Sequence, residues 1–97
     1  MSSRIAVVGH KYRHYYDDKL VEWIDAESID AIRLVGRVRN RFVRGVVLVR
    51  ADLTHGISRP ILDACRRYGI PCTMCEKGTP TRIKSALDTI GLVNERL

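Results

Sequence analysis

Residues 45–74 read GVVLVRADLTHGISRPILDACRRYGIPCTM, and this stretch decides the fold. Gly45 to Val49 is a nearly uninterrupted β-branched run, the pattern of a strand covered on both faces. A short polar loop follows. Ser58 can then cap a helix with Pro60 in its first turn, and Ile61, Cys65 and Tyr68 fall on one face before Gly69 stops it. Ile70 to Met74 is a second short strand. Strands alternating with helices in this way build a parallel sheet.

Working outward, Arg4 to Val8 is an apolar run that stops at Gly9, which reads as a buried strand ending in a turn. From Asp17, the apolar residues Leu20, Val21 and Ile24, with Tyr16 behind them, recur at helical spacing, and acids cluster near the start where a helix dipole favours them. A first helix is predicted there. Ala31 to Val35, closed by Gly36, reads as a second strand, joined to the third only by Arg37 to Arg44. Thr79 and Pro80 open a last helix with Ile83, Ala86, Leu87 and Ile90 as its apolar stripe and Gly91 as its stop. The expected architecture is one α/β domain over residues 1–93 with a short tail at 94–97. Because crossovers are right-handed, its four parallel strands take the order 2-1-3-4 in a small Rossmann-like, three-layer sheet. Strands 2 and 4 are then open edges, which points to a homodimer.

Composition agrees with one compact domain: the chain has 97 residues, 45% of them hydrophobic and 29% charged. Val46 to Val49 is the longest purely aliphatic run, far short of the roughly 20 residues that span a bilayer. Ile5 to Val8 is likewise too short for the apolar core of a signal peptide, so a cytoplasmic protein without membrane contact is expected. Seventeen Lys and Arg against eleven Asp and Glu give a net charge of +6, and the surplus sits in the middle, where residues 31–51 hold six Arg and no acid. Such a run is the pattern of a solvated face and equally of a docking surface for phosphate-rich partners. Three cysteines, an odd number, argue against a disulfide framework and for reduced thiols.

Ligands of open parallel sheets bind at the carboxyl ends of the strands, where strand order reverses. The crevice predicted there lies between strands 1 and 3, lined by Gly9, His10, Lys11 and Tyr12 on one side and Asp52, Thr54, His55 and Gly56 on the other. Gly9 with the basic residues beyond it can cradle a phosphate, although no spaced-glycine fingerprint or Gly-Lys-Thr loop is present. Tyr12, Tyr15 and Tyr16, interleaved with Lys11 and Arg13, suit stacking on bases and equally the packing of a helix start. His55 can act as a base, a metal ligand or a haem ligand, or close a hydrogen bond at a helix entry. Arg37, Arg39, Arg41 and Arg44 pair naturally with phosphates, and Arg37 is expected at the same edge as the crevice, with Arg4 and Arg44 at the opposite one. Cys72-Thr-Met-Cys75 has the spacing of a redox pair or of half a zinc site. Strand alternation turns its two thiols to opposite faces, however, which favours core packing.

Val7-Val8-Gly9, the run Ala51-Asp52-Leu53-Thr54-His55, the helix with Leu62-Asp63-Ala64-Cys65-Arg66-Arg67 and the closing Tyr68-Gly69-Ile70-Pro71 together resemble a small bacterial family, domain of unknown function 2325. The resemblance covers nearly the whole chain and implies a mini-Rossmann fold, with haem and oxygen binding in some similar proteins falling most directly on His55. The Arg37 to Arg44 cluster and the tyrosine-rich first loop depart from that pattern. Three readings of function follow. The first is a non-enzymatic binding module that docks a nucleic acid or nucleotide through Arg37, Arg39, Arg41 and Arg44 with Lys11 and Arg13. The second is a haem or metal sensor using His55 with His10 or His14 opposite. The third is a phosphate- or nucleotide-handling enzyme in which His55 and Asp52 act on a ligand held by Gly9 to Lys11. The first is preferred, because no complete set of nucleophile, base and oxyanion donors is legible.

Overall fold

The computed structural model describes residues 4–9 and 21–95. Its elements are β1 (Arg4–Gly9), β2 (Val21–Asp25), α1 (Ile29–Arg39), β3 (Val43–Val49), a 3-10 turn (Arg50–Asp52), α2 (His55–Tyr68), β4 (Cys72–Cys75) and α3 (Pro80–Glu95). All strand pairs are parallel, and the order across the sheet is β2-β1-β3-β4. This is the expected Rossmann-like α/β domain, with β2 and β4 at its edges.

Two element types differ from expectation. Val21 to Asp25 is a strand rather than part of a helix, paired with β1 from Ile5 opposite Val21 to Gly9 opposite Asp25. Ala31 to Val35 is helix rather than strand. Ala31, Leu34 and Val38 are fully buried while Ile32 and Arg33 are exposed, a spacing of three and four that only a helix produces. The reason lies in the connection. A parallel strand needs a crossover of a dozen or more residues to reach the far side of its neighbour, and the eight residues from Arg37 to Arg44 are too few. With 29–39 helical, the crossover from β2 over β1 to β3 has its helix.

Alternation along the central strands divides the core. Ala6 and Val8 of β1 and Val46 and Leu48 of β3 pack under α1 and α2, against Leu34, Val38, Ile61 and Cys65. Ile5, Val7, Val47 and Val49 face the other way, against Ile83, Ala86 and Ile90 of α3. Helix boundaries also shift. α2 starts at His55 with Thr54 at its N-cap, so Ser58 is not the cap but a buried residue inside the helix. α3 runs through Gly91 to Glu95 instead of stopping at the glycine. Arg41, at φ 59°, provides the left-handed turn after α1, and Gly69, at φ 70°, provides the one after α2.

Gly45 is required by α3, because a Cβ there would collide with Cγ2 of the fully buried Ile90. Gly45→Ala is expected to lower the unfolding free energy by about 1–3 kcal/mol through overpacking. Ile90→Ala should cost about 2–5 kcal/mol by leaving a cavity. In the double variant the two losses should fall short of their sum in urea denaturation, since each substitution relieves the other.

Candidate functional site

At the carboxyl end of the sheet, Gly9 closes β1 and its carbonyl accepts from Ala26 N–H at 3.1 Å. Val49 hands the chain to the 3-10 turn, whose Ala51 N–H donates to the Glu76 carbonyl at 3.1 Å and so ties the ends of β3 and β4 together. Asp52 is half-buried, while Thr54, His55 and Gly56 are exposed at the start of α2. The Thr54 carbonyl accepts from Ile57 and Ser58 N–H. Asp52 to Gly56 thus follow the carboxyl end of β3. His10, Lys11, Tyr12 and Arg13, with His14, Tyr15 and Tyr16, lie outside the described residues. Among the described residues no cluster of three His, Cys, Asp or Glu can hold a metal ion.

The arginine segment is arranged differently from the sequence expectation. α1 runs antiparallel to the strands, so its last turn lies at the amino end of the sheet, and Arg37 is on the opposite edge from His55 rather than beside it. Its guanidinium forks onto Glu22 of β2, with Nη1 donating to Oε1 at 3.0 Å and Nη2 donating to Oε2. That pair ties α1 to the edge strand. Arg39 and Arg41 are exposed in the last turn of α1 and the turn beyond it, and Arg44 is exposed at the start of β3. The four do not form one extended row.

A different basic surface takes shape on α2. The helical period that turns Ile61, Ala64 and Cys65 inward turns Arg59, Asp63, Arg66 and Arg67 outward. Grooves flank this ridge on both sides. Between α1 and α2, a groove of about 440 Å³ is lined by Val35, Gly36 and Arg39 and by Asp63, Arg67 and Tyr68. The Arg67 guanidinium carbon lies 5.7 Å from the Tyr68 ring centroid, within cation–π range. Between α2 and β4, a second groove of about 480 Å³ has Leu53, Leu62 and Met74 as apolar lining and Arg50, His55, Arg59 and Arg66 as basic lining. Its ion pairs are exposed: Arg50 to Glu76 at 3.4 Å and Arg59 to Asp63 at 3.9 Å. Pairs of that kind hold little and exchange readily for another anion.

Sequence reasoning passed over Arg50, Arg59, Arg66 and Arg67. The signal was available, since the inward face it assigned to this helix implies the outward one. Taken together, α1 and α2 carry six Arg and two Asp, whereas α3 on the other side of the sheet carries two bases and two acids. The thiols of Cys72 and Cys75 diverge as alternation required. Cys72 packs with the α2-side core and Cys75 with the α3-side core, where burial pushes the Cys75 thiol up.

No family model matches the chain, and no curated protein or solved structure matches it either.

Arg37 and Glu22 form a bidentate, two-thirds-buried pair. A double-mutant cycle with Arg37→Ala and Glu22→Ala should give a coupling of about 1 kcal/mol or more by urea denaturation, above the usual value for an exposed pair. A coupling near zero would show that the fork contributes nothing to holding α1 on β2.

Proposed function

We propose that this domain is a non-enzymatic module that docks the phosphate backbone of a nucleic acid across the outer ridge of α2. The observation that carries the reading is the one-sided charge of the fold: the arginines of α1 and α2 share one face of the sheet, while α3 on the other is balanced. Arg59 and Arg66 are seven residues apart, about 10 Å along the helix axis. Arg39 and Arg67 line the groove on one side of the ridge, and Arg50 and Arg59 the groove on the other. Guanidinium groups take phosphate oxygens in pairs, so this spread suits a chain of phosphates better than a single anion. Nothing in it reads bases, because contacts to phosphate position a partner without selecting its sequence.

Arg37 belongs to the scaffold in this reading, since its fork is taken by Glu22. The docking set is Arg39, Arg50, Arg59, Arg66 and Arg67, with Arg41 at its amino-end margin.

Labelled single-stranded and duplex oligonucleotides followed by fluorescence anisotropy test this directly. With five phosphate contacts, log K should fall with log[salt] at a slope of about −3.5 to −4.5. Arg59→Gln with Arg67→Gln should weaken binding to all sequences alike and bring the slope about 1.5 units closer to zero. Arg82→Gln with Lys84→Gln on α3 removes the same two charges and should change little. Equal losses from both pairs would mean that net charge alone is responsible, and no binding at about 50 mM salt would remove the proposal.

A further inference from the structure

α2 ends three residues before β4 begins, and the turn between them is tight. Gly69 takes a left-handed conformation at φ 70°, so that the Cys65 carbonyl accepts both the Gly69 and the Ile70 N–H. The chain reverses there and brings Cys72, the first residue of β4, against Cys65 on the last turns of α2. Both side chains belong to the core cluster under α2. Both border an open cavity of about 480 Å³ that also touches Arg66, Thr73 and Thr89. Cys65 itself is buried, at 1% exposure, while Cys72 is only half-buried.

We propose that Cys65 and Cys72 form a redox modification site, in which a peroxide entering by this cavity converts the two thiols into a disulfide that clamps the end of α2 to the start of the edge strand. The roles follow from position. Cys72 is the thiol a peroxide can reach, and the neighbouring Cys65 thiol together with the Arg66 charge holds it below the ordinary thiol range, which favours its thiolate. The Cys72 thiolate attacks one peroxide oxygen, the O–O bond breaks, and the other oxygen leaves as hydroxide, giving a sulfenic acid at Cys72. The Cys65 sulfur then attacks the Cys72 sulfur. The S–O bond breaks, and the departing hydroxide takes the Cys65 proton and leaves as water. Overall the two thiols and one peroxide give one disulfide and two waters. A dithiol reductant reverses the change.

Cys75 is excluded from this chemistry by the sheet itself. It faces the α3-side core, away from both other thiols, although its spacing from Cys72 is the one that suggests a redox pair in the sequence.

The test is peroxide treatment of the reduced full chain, alkylation of the remaining thiols and tryptic mapping. Cleavage after Arg66 and Arg67 separates the Cys65 peptide from the one that holds Cys72 and Cys75. Two of the three thiols should escape alkylation, and the two peptides should be joined. Cys75→Ser should leave the cross-link intact, and Cys72→Ser should abolish it. In Cys65→Ser, Cys72 should accumulate as a sulfenic acid that dimedone traps. Should a cysteine variant fail to fold, fragmentation of the wild-type cross-linked peptide assigns the bond alone. A bond from Cys72 to Cys75, a bond to Cys75 from Cys65, or three alkylated thiols after oxidation would each overturn the proposal.

Discussion

β1 and β3 are apolar on both faces, and the rest of the structure depends on covering them. Their residues from Ile5 to Gly9 and from Gly45 to Val49 are buried without exception. Each strand therefore needs a layer above and a layer below, since any side left open would expose a strip of valine and leucine to water. α1 and α2 supply one layer. α3 covers the other face over β3 and β4. The strand order follows from the same need, because placing the two most apolar strands in the middle leaves the edges to β2, with Glu22 and Asp25, and to the four-residue β4. Edges that are short or charged resist pairing with other chains.

This explains which parts of the fold were legible. β1, β3, α2, β4 and α3 each carry either an unbroken apolar run or a helical stripe with a recognisable stop. The region from Asp17 to Val35 has neither. Val21-Glu22-Trp23-Ile24-Asp25 is an edge strand whose two half-buried residues break the alternation, and its apolar residues also fit a helical spacing. In α1, Gly36 has the look of a terminator in the sequence. It lies mid-helix at the groove beside α2, where a Cβ would meet nothing within 4 Å. The strand order came out right because both readings supply four parallel strands with β1 and β3 adjacent. Chain length over the crossover, rather than residue preference, separates the two.

The same exchange of strand for helix redistributes the charge. Read as an extended link, Arg37 to Arg44 is a row of guanidiniums next to the ligand crevice. Read as the end of a helix, it sends Arg37 inward onto Glu22, leaves Arg39 at a groove and moves the whole segment to the amino end of the sheet. Linear density of charge was thus a poor guide to its density on the surface. Asp52 to Gly56 can be placed after β3 because its carboxyl end at Val49 is legible in the sequence, although the strand begins at Val43 rather than Gly45. Their counterpart after β1 lies outside the described residues.

α2 is where packing and surface chemistry have to be reconciled. A helix lying on a sheet between a neighbouring helix and a sheet edge has three directions for its side chains. Ile61, Ala64 and Cys65 point down to the sheet, Asp63 and Arg67 reach the groove toward α1, and Arg59, Leu62 and Arg66 line the groove toward β4. A guanidinium on the first of these faces would lose its water without a partner, so the arginines are confined to the flanks. Leu62 on one flank and Tyr68 beside the other give the grooves apolar as well as basic lining. The downward face has its own consequence, because the residue nearest the helix end there is a cysteine, and the left-handed turn at Gly69 returns the chain directly to it. The basic ridge and the thiol pair are in this sense two products of one constraint: a 14-residue helix that must stay apolar beneath, free to be charged above, and must end tightly enough to start the edge strand.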